Sequence, residues 1–74
     1  MKLDELNDVG FDVEELVSRG REIRGNRSRL EIAGRIGVYT TTLMRWENGS
    51  NRPSFAMAVK YARVLREILA EDAA

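Results

Sequence analysis

SRLEIAGRIGVYTTTLMRWENGSNRPS, residues 28–54, decides the fold. Ser28 with Glu31 three residues later is a capping box, in which the hydroxyl accepts from a free N–H of the first turn and the carboxylate reaches back to the cap. It opens a short helix whose inward residues are Leu30, Ile32, Ala33 and Ile36. Gly37 follows the last of them, where a left-handed residue ends the helix and turns the chain, a conformation that glycine adopts without steric penalty. A second short helix is predicted from about Thr40 to Glu47, with Leu43 and Trp46 on its buried side and Asn48-Gly49 as its stop. The three spacings agree with one another. Ala33 is small where the helices must approach, Gly37 stands at the turn, and Leu43 plugs the angle between them.

Outward from this stretch the helical pattern continues on both sides. Upstream, Asp12 is a cap with Glu15 at the third helical position, and Phe11 and Leu16 form a hydrophobic staple around it. Val13, Leu16, Val17, Gly20 and Ile23 mark one face, and Gly25-Asn26 supplies the stop. Downstream, Pro53-Ser54 is a start signal with Ser54 as cap. Phe55, Ala58, Val59, Ala62, Leu65, Ile68 and Leu69 then recur without a break, as one long helix or two in near-continuity. Leu3, Leu6 and Val9 before Gly10 fit a short amphipathic helix or an ordered arm. The β-branched run Val38 to Thr42 is short and lies between helical patterns, so no strand is expected. The expected fold is all-α, a bundle of four to five helices forming one domain over residues 1–74. Residues 1–11 are an acidic arm or short helix, 28–48 the two paired helices, and 66–74 a C-terminal extension.

Composition narrows the chemistry. The 74 residues include no cysteine and no histidine, which excludes disulfides, thiolate nucleophiles, the usual general base and the commonest metal ligands. No metal, cofactor or small-molecule ligand is expected. The longest unbroken apolar run, Phe55 to Val59, is far short of a membrane span, so a cytoplasmic protein without membrane contact is expected. Gly20 and Gly25 imitate the glycines of a phosphate loop, but Asn26-Arg27 follows where Lys and Ser or Thr are required and no strand precedes them. The carboxylates at residues 4–15 lie beside helix caps, where solvation and the helix dipole account for them. Nothing catalytic is assigned.

The formal net charge is zero, which read alone argues against a nucleic-acid partner. Its distribution argues the other way. Residues 1–17 carry a net of −5, residues 18–66 a net of +8, and residues 67–74 a net of −3. A phosphate backbone responds to the local field, so a basic middle between acidic ends points to an acidic partner. Scattered, solvated arginines are the plain alternative.

Two short helices joined by a glycine turn, the second with a polar outward face, form the helix-turn-helix pattern. The stretch resembles the phage repressor and Cro type of this motif, the XRE family. The resemblance rests on Leu30-Glu31-Ile32-Ala33, Ile36-Gly37-Val38, Thr42-Leu43, Arg45-Trp46-Glu47-Asn48-Gly49 and Arg52-Pro53-Ser54. It covers roughly residues 13 to 66 with the flanking helices. It implies a lambda-repressor-like DNA-binding domain that places its third helix in the major groove of double-stranded DNA. With Leu43 and Trp46 inward, the base-facing positions are Thr40, Thr41, Met44 and Arg45. The threonines suit thymine methyls or hydrogen bonds, and Arg45 suits either guanine or a phosphate. Met44 touches a base methyl or is simply exposed.

By the same resemblance, phosphate contacts come from Arg27, Arg29, Asn48, Ser50, Asn51 and Arg52, Arg29 standing where the family usually has a glutamine. Glu47 is expected to pair with a basic group inside the fold. Two departures stand out. Tyr39 replaces the small hydroxyl residue that usually caps the third helix, so Thr40 either caps it or faces bases. Gly34 inside the second helix either admits a close neighbour or is merely tolerated.

The expected function is sequence-specific transcriptional regulation, as a homodimeric repressor or autoregulator on a pseudo-palindromic operator. A helix-turn-helix relative that binds a protein instead is the alternative. Leu65, Ile68 and Leu69 extend the last helix's apolar stripe and are expected at the dimer interface, unless Leu3, Leu6 and Val9 fold back over them.

Overall fold

The computed structural model describes residues 12–73. Among them are four helices: α1 (Val13–Arg24), α2 (Arg29–Ile36), α3 (Thr40–Glu47) and α4 (Phe55–Ala73). The expected N-cap side chains accept from the first turns, but the Glu31 carboxylate pairs with Arg27 and Arg35 and does not reach back to Ser28, so only half of that capping box forms. Asp12 accepts from the Glu14 and Glu15 N–H groups at 2.9 and 3.3 Å, Ser28 Oγ from Glu31 at 3.1 Å, and Ser54 Oγ from Met57 at 3.2 Å. Phe11, the outer half of the expected staple, lies outside the described residues, as do Leu3, Leu6 and Val9. At the turn, Gly37 has φ +92°, and the N–H groups of Gly37 and Val38 both donate to the Ala33 carbonyl, at 2.8 and 3.0 Å. Two N–H groups beyond the helix thus cap one of its last carbonyls, and the chain is redirected into α3.

α4 is one continuous helix of 19 residues and packs against α1 and α2, while α3 packs against α2 and α1. The core joins Leu16 of α1, Ile32, Ala33 and Ile36 of α2, Leu43 and Trp46 of α3, and Ala58, Tyr61, Ala62, Val64, Leu65 and Ile68 of α4. Tyr61 and Trp46 meet with ring centroids 5.6 Å apart, tilted by 37°. Opposite them, Gly20 allows α1 to lie directly on the Tyr61 ring, since a methyl group at Gly20 would sit 2.6 Å from Tyr61 Cζ.

Several sequence expectations are corrected here. Leu30 is 72% exposed, not inward, because it lies about 200° around the helix from Ile32 and faces away from the core. Phe55 is 70% exposed, whereas Tyr61 and Val64, absent from the expected stripe, are buried. The face of α4 is set by Ala58 and Ala62, small residues at close approach, with Tyr61, Leu65 and Ile68 in line with them. Leu65 and Ile68 have no exposed surface within the single chain, so they are core residues and not a dimer interface. Leu69 alone of that trio reaches the surface. Thr40 does not cap α3: Tyr39 occupies the cap position without a side-chain bond, and Thr40 is the first helical residue.

Gly34 has no atom within 4 Å of where a Cβ would stand, so close approach does not explain it. Gly34→Ala should therefore stabilise the domain by about 0.5–1 kcal/mol, seen as a higher melting temperature by circular dichroism. An unchanged or lower value would mean that the open side of α2 meets something in solution.

Candidate nucleic-acid interface

α3 presents its functional side because its other side is fixed. Leu43 is fully buried and Trp46 is 4% exposed, which leaves Thr41, Met44 and Arg45 outward, with Thr40 half-buried beside them. Met44 is 40% exposed. The Arg45 guanidinium makes no ion pair among the described residues, so its five donors are available to a ligand. An α-helix with its side chains is about 10–12 Å across, a diameter that the major groove, about 12 Å wide, admits.

The loop after α3 is ordered by its own hydrogen bonds. Asn48 Oδ1 accepts from the Ser50 N–H at 2.9 Å, and the N–H groups of Ser50 and Asn51 donate to the Arg45 carbonyl at 2.9 and 3.2 Å. Gly49, at φ +83°, makes this tight path possible. The backbone N–H groups of Asn48 to Asn51 are used internally, which leaves the side chains of Asn48, Ser50, Asn51 and Arg52 as the loop's phosphate-contact candidates. Arg52 pairs with Glu14 at 2.6 Å with both side chains well exposed, an ion pair that water screens and a phosphate can replace.

Glu47 holds the base of the site. Its Oε2 accepts from Arg24 Nε at 2.8 Å, and its Oε1 accepts from Arg24 Nη2 at 2.9 Å and Arg29 Nε at 2.8 Å. Arg24 Nη1 also donates to the Arg27 carbonyl at 3.0 Å. Burial by itself raises the Glu47 carboxyl's pKa, but hydrogen bonds from Arg24 and Arg29, with their charges, outweigh it and hold the group below its ordinary value. Burial, with a smaller push from the Glu47 carboxylate, raises the neighbouring Tyr61 hydroxyl. Glu47 is thus the internal partner of basic groups that the sequence suggested. Arg24 links it to α1, and Arg29 is drawn to it at the start of α2.

Arg27 does not join this group. It pairs with Glu31 at 2.9 Å and Asp72 at 2.6 Å, while Arg35 is bonded to Glu71 at 2.8 Å, so both arginines tie α2 to the end of α4. As a phosphate contact Arg27 would have to leave three carboxylates, Glu31, Glu71 and Asp72. Arg21 was not singled out from the sequence, yet it lines one recess with Arg29, Met44, Glu47 and Asn48. The available signal was helical spacing: Arg21 is three residues before Arg24 on the same side of α1.

The helix-turn-helix family profile matches residues 18–68, from within α1 to near the end of α4. No curated protein and no solved structure matches the chain. The chain belongs to the Cro and repressor type of the helix-turn-helix family, the XRE family, and is a DNA-binding regulatory domain. No helix among the described residues is long and apolar enough to cross a membrane.

Proposed function

We propose that the protein is a sequence-specific transcriptional regulator that reads double-stranded DNA with α3 in the major groove. The observation that carries this is the division of α3: Leu43 and Trp46 are locked into the core, while Thr41, Met44 and Arg45, which has no ion pair among the described residues, face outward. Arg45 forks onto O6 and N7 of a guanine, Met44 and the threonines meet neighbouring base edges, and Arg29, Asn48, Ser50, Asn51 and Arg52 fix the register on the backbone. One short helix reads only a few base pairs. A homodimer on two half-sites about one helical turn apart doubles the sequence read, and a repressor or autoregulator acts by occupying such a site. Since Leu65 and Ile68 are core residues, this dimer would pair through other surface.

Selection of DNA by the purified protein tests the proposal and should return inverted half-sites spaced by about one turn. A single short site would replace the dimer with a monomeric reader. On the selected duplex Arg45→Ala should cost about 1–3 kcal/mol, with binding to scrambled DNA nearly unchanged. Equal losses on both duplexes would reassign Arg45 to the backbone.

A further inference from the structure

Glu47 accepts three charge-assisted bonds on its two oxygens, two from Arg24 and one from Arg29, and none of them comes from Arg21. Arg21 is nevertheless beside it, in the recess shared with Arg29, Met44 and Asn48. Two carboxylates of α1 pair elsewhere: Glu14 with Arg52 and Glu22 with Arg19. Glu22 is also next to Arg21 in sequence, a separation at which helical side chains do not face each other. Arg21 makes no ion pair among the described residues. Among the described residues, three arginines around one carboxylate leave a local net of two positive charges.

The same recess has donors aimed outward. Arg29 spends its Nε on Glu47 and keeps its two terminal nitrogens, with 43% of its side chain exposed. It is the first residue of α2, where the helix dipole adds positive potential. Met44 and Asn48, four residues apart, lie along one edge of α3, so the recess borders the face that reads the groove.

We infer that Arg21 and Arg29 form a two-arginine seat for a single backbone phosphodiester flanking the major groove, with Glu47 as the positioning residue that sets Arg29. The inference rests on the DNA-binding function proposed above and adds a phosphate ligand from α1. The phosphate supplies the missing counter-charge and accepts a guanidinium from each side, one from α1 and one from α2. Because α1 is bonded to α3 through Arg24 and Glu47, this contact fixes the height of α3 in the groove.

The test measures affinity against salt concentration for wild type, Arg21→Ala and Arg21→Lys, on the selected duplex and on a scrambled one. Arg21→Ala should lower affinity on the order of tenfold on both duplexes alike and reduce the log–log salt slope by about one. Arg21→Lys should restore the slope. The melting temperature of Arg21→Ala should not fall, because no internal bond is lost. Unchanged affinity and slope for Arg21→Ala would overturn the seat, and a loss confined to the selected duplex would make Arg21 a base reader. Inorganic phosphate at millimolar concentration should leave the wild-type melting temperature unchanged. Stabilisation by phosphate that Arg21→Ala abolishes without affecting DNA affinity would overturn the duplex as the occupant. Wild type that shows no salt-dependent duplex binding would fail the DNA-binding proposal itself, an outcome distinct from all of these.

Discussion

Trp46→Ala should lose about 3–5 kcal/mol of folding stability, the cost of removing a large buried aromatic side chain and leaving its cavity. The magnitude is decisive because the whole domain has little to lose. At roughly 0.05–0.15 kcal/mol per residue, a chain of this length holds about 4–11 kcal/mol. The indole is 4% exposed, lies against Tyr61 of α4 and belongs to the one cluster that includes residues from all four helices. It therefore holds α3 to the rest of the fold at the end opposite the turn. Trp46→Phe keeps a ring in the site and should cost less than half as much. Urea unfolding followed by circular dichroism separates the variants, since the only tryptophan is lost as a fluorescent probe. DNA affinity of Trp46→Ala should fall only by the fraction unfolded, because no base or phosphate contact is removed. A wild-type unfolding midpoint in Trp46→Ala would contradict the packing described for α3.

The difference between what was legible in the sequence and what was not follows physical lines. Caps and turns are local, so Asp12, Ser28, Ser54 and Gly37 could be read from the residues beside them, and each occupies the predicted place. The inward residues of α3 were legible because Leu43 and Trp46 are the large apolar side chains at the right spacing. α4 was harder, since it offers apolar or amphipathic residues on more than one face. Which face is buried depends on partners distant in sequence, Gly20 above all, whose missing side chain makes room for Tyr61. The same dependence explains Leu65 and Ile68. Their stripe was visible, but whether a second chain or α1 and α2 cover it is a tertiary fact.

The polar site divides in the same way. The outward set on α3 follows from helix geometry once the inward set is known, whereas ion pairing between helices has no local signature. Nothing near Arg27 in the chain announces Asp72, and nothing near Glu47 announces Arg24, 23 residues earlier. Charge counts by segment therefore overstated the basic surface. Arg27 and Arg35 are offset by the acidic end of α4, and Arg24 by Glu47, so fewer of the basic side chains are available to a phosphate than the segment count suggests.

Glu47→Gln should destabilise the domain by about 2–3 kcal/mol and should also change its response to acid. Removing one partner of a buried ion pair costs roughly 3–5 kcal/mol when the other charge is stranded. Here the stranded groups regain some hydration, since the Arg24 and Arg29 side chains are 17% and 43% exposed, so the loss falls at or just below the bottom of that range. The pH dependence has a definite sign. The carboxyl's folded pKa lies below its ordinary value of about 4.3, so its contribution is complete above that pH. The contribution is lost as pH falls through the depressed folded value, where the folded carboxylate finally takes up its proton. Wild type should therefore be more stable than Glu47→Gln by a constant margin near neutrality, and the margin should shrink below about pH 4. Glu71, also held below its ordinary value by Arg35, titrates in both proteins and cancels in the difference. Denaturant unfolding of the pair at a series of pH values measures this margin directly. A margin that persisted undiminished into strong acid would mean that the glutamate acts by shape alone. A margin of zero at neutral pH would mean that Arg24 and Arg29 do not draw stability from it.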